Sequence, residues 1–323
     1  MKVLVPRSRF VHELAASALL EPVLVPVGEP APPEAQGARA IVSEANHWRA
    51  LRPYFDAIDT LEAIFMTSAG YDHVAERYEG VSIVNARGAH GGSTAEMAIA
   101  MILAHNKRFA TFEAARGRHE WLYGVSGSMQ GKRILVLGAG DLGSRIARIA
   151  AAMEAEPVLF AHTARPGVHT LGEIGEWLPG AYAVVVALPM SAELRRFVDA
   201  GFLAAIPDGA ILINVGRGGI VDTDALAREL ATGRIAAGID VTDPEPLPVD
   251  HPLWDAPNLI LTPHVGGFAH GSFGRIIEVM GTGMEAMARG ETPANLIPLA
   301  ALPRPTPRPK TGPRTRPSSA PIG

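Results

Sequence analysis

The sequence predicts an α/β protein built on parallel β-sheets. Short apolar runs bounded by Pro, Gly or charge alternate with helical patterns through the first ninety residues, and the same alternation restarts at residue 133. That is the pattern of successive βαβ units. A length of 323 residues with 47% hydrophobic content leaves room for about two domains of this kind.

In chain order, the first series places strands at residues 3–5, 23–27, 40–42, 63–66 and 82–84. Ser93-Thr94-Ala95-Glu96 then matches a capping box, with Ser93 as N-cap and Glu96 reaching back. The helix it would open, 97–105, is apolar on every side, which predicts burial between two domains. A stretch of low hydrophobicity, 116–130, closes this region. The second series places strands at 133–137, 158–161, 183–188, 210–214, 235–239 and 259–261. Its helices fall at 141–153, 199–206 and 224–232, and a last helix spans roughly 267–289.

Residues 303–323 hold seven prolines, five basic residues and no acid. Such a segment cannot bury enough surface to offset its ordering entropy, so a disordered tail is expected from 301 to 323. A solvated extension without a partner fits it better than a nucleic-acid or membrane tail. The net charge of −4 is therefore a +5 tail on a −9 body, which argues against a whole-surface nucleic-acid binder. The absence of cysteine excludes disulfides, thiolate catalysis and thiolate-bound metals. No metal site is expected. The first apolar run is too short for a signal peptide, and no run of 18 apolar residues exists, so the chain reads as cytoplasmic with no membrane partner.

Gly138-Ala139-Gly140-Asp141-Leu142-Gly143 follows a strand and opens a helix, which is the context of a dinucleotide fingerprint. Gly138 permits the tight turn, Gly140 lets backbone approach a pyrophosphate, and Gly143 lets helix and strand pack closely. Nicotinamide sites of the NAD type place a carboxylate at the end of the next strand, on the ribose 2′-OH. Here that strand ends in His162-Thr163-Ala164-Arg165. Without a carboxylate, His162, Thr163 and above all Arg165 are suited to a 2′-phosphate, so NADP is favoured over NAD.

Three further residues follow buried strands in the second half: Arg217, Glu245 and His264. An imidazole can give a proton to a carbonyl oxygen as hydride arrives, and take it back in reverse. A neighbouring carboxylate fixes its tautomer, and an arginine can hold a substrate carboxylate with two hydrogen bonds.

The runs carrying these residues are INVGRGGIVD (213–222), GIDV (238–241) followed by Glu245-Pro246-Leu247, and TPHVGG (262–267). In this order they resemble the arginine, glutamate and histidine signatures of the D-isomer-specific 2-hydroxyacid dehydrogenase family. Leu188-Pro189 followed by Glu193 resembles another of its segments, and the likeness covers about residues 60–290.

The resemblance implies two Rossmann- or flavodoxin-like domains with the active site in the interdomain cleft. Residues 1–93 with 268–300 would form the substrate domain and 94–267 the dinucleotide-binding domain. A homodimer acting on a small 2-keto or 2-hydroxy acid, as a glyoxylate or hydroxypyruvate reductase does, is implied too. Arg217 would bind the substrate carboxylate, His264 would be the acid/base, and Glu245 its partner. Asp240 would meet the nicotinamide carboxamide, and Thr94, Leu188, Pro189, Val215, Gly216 and Gly266 would line the cofactor. The backbone amides of Ala69 and Gly70 would bind the substrate carboxylate. Thr242-Asp243 replaces the more usual aromatic–acid pair, and Arg87 and His90 would stand near the cleft.

Formate dehydrogenases of this fold carry glutamine in place of Glu245. Phosphite dehydrogenases keep all three residues, and a cofactor-sensing transcriptional corepressor would keep the fold as well. Small residues (Ala69, Gly70, Gly91, Gly92) point to a compact pocket, for which Trp48, Tyr71, Trp121 and Phe268 are candidate walls.

Overall fold

A computed structural model describes residues 1–44, 49–72, 74, 77–298, 302 and 305–306. Trp48 and most of the segment 301–323 lie outside the described residues. The chain divides into two compact units, Met1–Arg87 with Phe273–Gly323, and Gly88–Ser272.

The first unit begins with strand β1 (Lys2–Val5), helix α1 (Ser8–Leu14), β2 (Glu21–Leu24), β3 (Ala40–Ser43) and helix α2 (Arg52–Ala57), followed by β4 (Ala63–Met66), β5 (Arg77–Tyr78) and β6 (Ser82–Val84). Five of these strands form a parallel sheet in the order β2-β1-β3-β4-β6. Every residue of β3 and β4 is buried, as expected of strands covered on both faces. The expected strand at 23–27 is corrected to Glu21–Leu24. It pairs residue for residue with β1 from Lys2 to Val5, and Pro26 lacks the N–H needed to continue.

The second unit holds α3 (Gly91–Asn106), α4 (Phe109–Gly117), β7 (Arg133–Leu137), α5 (Asp141–Ala152), β8 (Glu156–Ala161) and β9 (Val168–Thr170). It continues with α6 (Ile174–Trp177), β10 (Ala183–Val186), α7 (Ala200–Ala205), β11 (Ile211–Asn214), α8 (Thr223–Ala231), β12 (Ala236–Ile239) and β13 (Leu259–Leu261). Its seven-stranded parallel sheet runs β13-β12-β11-β10-β7-β8-β9. Ile134, Val136, Val185 and Ile213 pack on one face and Leu135, Leu137, Val186 and Leu212 on the other. This period-two alternation with both faces buried explains the unbroken apolar runs. On α5, Gly143, Ile146, Ala147 and Ala150 form the buried stripe at helical spacing.

The last helix, α9 (Ser272–Ala288), packs the Phe273 ring 4.9 Å from that of Phe10 in the first unit. A two-residue strand, β14 (Pro305–Thr306), pairs in parallel with β5. Among the described residues no helix is long and apolar enough to cross a membrane.

The capping box is a misreading. α3 starts at Gly91 with His90 as N-cap and no side-chain cap, so Ser93 lies inside the first turn. Its hydroxyl instead donates to the Gly266 carbonyl at 2.7 Å. The helix is also not buried all round, since Glu96 and Ala100 are exposed. Helix α4, within the stretch that precedes and enters 116–130, was not expected. The strand at 183–188 ends at Val186, and the last helix begins at Ser272 rather than 267.

His105, near the end of α3, donates from Nε2 to the Ala237 carbonyl at 2.8 Å if that nitrogen carries the proton. Burial holds its pKa below the usual histidine range, opposed in part by this bond. Its neutral form is thus favoured in the folded state. The stability it contributes is present above about pH 6.5 and is lost as pH falls through the lowered folded value. Unfolding free energies measured from about pH 7 to about pH 5 are expected to fall less steeply for His105→Gln than for the native chain. Equal slopes would show that His105 does not contribute.

Candidate active site

Parallel register brings the loops of the second unit to one edge of its sheet. Leu137, Val186, Asn214, Ile239 and Leu261 stand in one row across β7, β10, β11, β12 and β13. After them come the glycine loop, Leu188-Pro189, the Arg217 turn, Asp240 with Glu245, and His264. Ligands of open α/β sheets bind at this carboxyl edge, where the strand order reverses, here between β7 and β10.

The glycine loop is built by close backbone contacts. Gly138 has φ +117°, and its N–H donates to the Phe160 carbonyl at 2.8 Å, tying the turn to β8. A Cβ on Gly143 would overlap the Gly138 carbonyl. Gly140 differs: no protein atom lies within 4 Å of where its Cβ would stand. It caps α5, so backbone there is open to approach and the helix N-terminus is favourable to phosphate. The loop therefore fits a dinucleotide. The Asp141 carboxylate is paired with Arg145 Nε at 2.9 Å, and Leu142 is half-buried against the core.

After β8, His162, Thr163 and Arg165 are all exposed. Arg165 and Val168 exchange backbone hydrogen bonds of 3.1 and 2.8 Å around Pro166 and Gly167, with Gly167 at φ +77°. Proline before a left-handed glycine is the chemistry of a tight turn. Held there, Arg165 Nη2 donates to the Ala139 carbonyl at 2.6 Å, so its guanidinium lies on the glycine loop.

The Arg217 turn is drawn tight after β11. Gly216 N–H donates to Asn214 Oδ1, Asn214 Nδ2 donates to the Arg217 carbonyl, each at 3.1 Å, and Arg217 Nη1 donates to the Gly216 carbonyl at 2.9 Å. A Cβ on Gly216 would come within 2.8 Å of the Leu188 carbonyl oxygen, and one on Gly218 would overlap Thr242. Val215 and Leu188 are buried and Pro189 is exposed.

His264 and Glu245 form the pair the chemistry needs. Nδ1 of His264 lies 2.6 Å from Glu245 Oε1. The side chains remain 46% and 44% exposed, which keeps the imidazole within reach of a ligand. With Nδ1–H donating to the carboxylate, Nε2 is the nitrogen that can exchange a proton. His264 adopts φ +55°, an uncommon conformation for a residue with a side chain. Buried Asp240 holds it there. Its carboxylate accepts from Thr262 Oγ1 at 2.6 Å, Val265 N–H at 2.9 Å and Gly266 N–H at 2.8 Å, while its carbonyl accepts from His264 N–H at 2.7 Å. Thr94 donates to the His90 carbonyl at 3.1 Å, and its methyl would meet a Cβ on Gly266 at 3.5 Å.

In the first unit, Ala69 and Gly70 follow β4. The Ala69 carbonyl accepts from Asn85 Nδ2 at 2.6 Å and the Gly70 carbonyl from Ser68 Oγ at 2.8 Å, which fixes the turn. The Arg87 carbonyl accepts from Asn295 Nδ2 at 2.9 Å. The candidate pocket walls fare differently: Tyr71 packs on the first unit's core, whereas Trp121 and Phe268 are exposed. Gly91 also faces α5: a Cβ there would overlap the Asp141 carboxylate.

Residues 99–266 match the family model described as D-isomer specific 2-hydroxyacid dehydrogenase, NAD binding domain. The chain belongs to this family. It is 33% identical over 225 residues to a glyoxylate/hydroxypyruvate reductase B of Pectobacterium atrosepticum, covering 65% of this chain and 70% of that one. A glyoxylate reductase of Thermococcus litoralis is 28% identical over 257 residues, covering 73% and 77%. A crystal structure of a D-isomer specific 2-hydroxyacid dehydrogenase from Xanthobacter autotrophicus Py2 in complex with NADPH and MES superimposes with TM-score 0.80 at 27% identity, over 92% of this chain and 98% of that one.

As a member of this family the chain is an oxidoreductase with an NAD(P)-binding, Rossmann-like sheet. Two residues important to its site geometry were missed by sequence reasoning. Asn214 was read only as part of a signature, and Thr262 only as a neighbour of His264. The available signal was a polar residue at or just past the end of an apolar strand, where reduced access to water obliges it to find partners.

Proposed function

We propose that this dehydrogenase reduces small 2-keto acids of the glyoxylate and hydroxypyruvate kind to D-2-hydroxy acids, and runs in reverse. The 2.6 Å pair of His264 and Glu245 at the carboxyl edge of a dinucleotide-binding sheet carries the reading. The names of its reductase relatives support the substrate class.

A nicotinamide dinucleotide, when bound, supplies the hydride for the carbonyl carbon. Gly138, Gly140, Gly143 and the start of α5 would hold its pyrophosphate, and the remaining lone pair on Asp240 Oδ2 would accept from its carboxamide. Arg217 holds the substrate carboxylate. His264 passes the Nε2 proton to the carbonyl oxygen as negative charge develops there. Glu245 keeps the Nδ1 proton in place and stabilises the imidazolium from which the Nε2 proton leaves. In oxidation His264 takes the hydroxyl proton back. The expected result is loss of nicotinamide absorbance with glyoxylate or hydroxypyruvate in a panel of 2-keto acids. Cofactor binding without turnover on any of them would count against an enzyme of this kind.

NADP is the preferred cofactor in this reading. Arg165 lies on the glycine loop beside His162 and Thr163, and no carboxylate ends β8. Arg165→Ala is expected to weaken NADPH binding by about tenfold or more, the scale of a charge-assisted hydrogen bond, and NADH binding much less. Equal losses in fluorescence titrations would contradict a 2′-phosphate contact. The reading extends to a cytoplasmic homodimer. Exposed Phe109, Trp121, Tyr123 and Val125 on the second unit supply apolar surface for a second copy.

A further inference from the structure

We infer that Asn214 is a positioning residue for Arg217, setting the direction from which the guanidinium meets the substrate carboxylate. The inference rests on the carboxylate-binding role proposed for Arg217. Asn214 is the last residue of β11 and only 1% exposed. A buried amide there must satisfy both its donor and its acceptor. It does so on the two peptide groups that flank the Gly216–Arg217 step, accepting from Gly216 N–H and donating to the Arg217 carbonyl, each at 3.1 Å.

The turn has little freedom left. The Gly216 carbonyl accepts from Arg217 Nη1, and the Arg217 carbonyl also accepts from Ile220 N–H at 3.2 Å. On the other side, the Asn214 carbonyl accepts from Asp240 N–H at 2.9 Å, and Asp240 clamps the His264 loop. Asn214 and Asp240 are thus adjacent buried polar groups at the carboxyl ends of neighbouring strands, each bracing one loop that carries site chemistry. Neither needs to touch substrate to matter. A small misplacement of a binding group costs rate even when the group is present.

Asp is the informative replacement, because it is isosteric. Its carboxylate keeps the acceptor for Gly216 N–H but, when ionised, opposes the Arg217 carbonyl with a second oxygen. When protonated it can donate as Asn does. For Asn214→Asp in the full-length chain, kcat/KM for glyoxylate is expected to fall roughly tenfold at neutral pH, mainly through KM. Relative to native enzyme at the same pH it recovers as the solution is acidified. A ratio that stays constant with pH would overturn the assignment.

The second arm is a double-mutant cycle with Arg217→Ala. If Asn214 acts through Arg217, Asn214→Ser costs less than about twofold once the guanidinium is gone. Multiplicative effects would mean a merely structural Asn214 and would sink the proposal alone. Should Arg217→Ala leave kcat/KM for glyoxylate unchanged, the carboxylate role of Arg217 fails, and the proposal with it. If the Ser variant does not fold, the pH dependence of the Asp variant decides.

Discussion

Replacing His264 by Ala is expected to lower kcat for a 2-keto acid by about 10²- to 10⁴-fold, the usual contribution of a positioned acid or base. Dinucleotide binding is expected to persist. The reason is geometric. The imidazole stands on a loop braced from below by Asp240, through three hydrogen bonds to the carboxylate and one to the carbonyl. Removing the ring leaves that clamp intact. It removes the Nε2 proton and leaves Glu245 without its 2.6 Å partner. His264→Gln separates hydrogen bonding from proton transfer, because an amide can orient a carbonyl but does not shuttle a proton at neutral pH. Both variants should therefore be slow, with folding and NADPH titrations close to native. A His264→Gln enzyme with near-native kcat would remove the histidine from the chemistry.

The second large effect is at Gly143, where stability and cofactor binding are expected to fail together. A Cβ there would overlap the backbone carbonyl of Gly138, with Val136 Cγ1 at 3.3 Å behind it. Overpacking typically costs about 1–3 kcal/mol when flexible side chains can yield, so a collision with backbone belongs at the upper end or beyond. For a unit of this size each kcal/mol lowers Tm by about 2–4 °C. Gly143→Ala is thus expected to lower Tm by several degrees and weaken NADPH by about a hundredfold, because α5 is displaced from the phosphates. Gly140→Ala is the counterpart. Its Cβ meets no protein atom within 4 Å, so thermal unfolding should change little while NADPH binding falls. If Gly143→Ala unfolds at the native temperature, the close approach is not what the glycine provides.

The contrast between these glycines marks how far the sequence could be read. The order strand, glycine loop, helix was legible because backbone chemistry alone demands it. Most strands were legible too, since the central strands of both sheets are buried on both faces and leave continuous apolar runs such as the AIFM of β4, whereas the short β5, β9 and β14 were not expected. The reason for a residue was harder to read than its presence. Ser93 satisfies a capping pattern, yet α3 starts two residues earlier and its hydroxyl goes to Gly266, 173 residues away in sequence. Gly91 gave no sign in the sequence that it makes room for the Asp141 carboxylate.

Asn214, Thr262 and Asp240 illustrate the same limit. Asn214 bonds within its own turn, to Gly216 and Arg217, whereas the register of the folded sheet brings the Thr262 hydroxyl to the Asp240 carboxylate and the Asp240 N–H to the Asn214 carbonyl. Pro166-Gly167 is a turn dipeptide that the sequence analysis did not use, and that the turn lays Arg165 on the Ala139 carbonyl is seen only in the fold.

The most direct test of the account follows the hydride. The full-length chain is given NADPH deuterated at both C4 positions together with hydroxypyruvate, and the product is analysed by mass spectrometry and chiral separation. The expected product is D-glycerate carrying one deuterium at C2, formed by native enzyme and at a rate about 10²- to 10⁴-fold lower by His264→Ala. Unlabelled glycerate, the L isomer, or no product from a chain that binds the cofactor would contradict it.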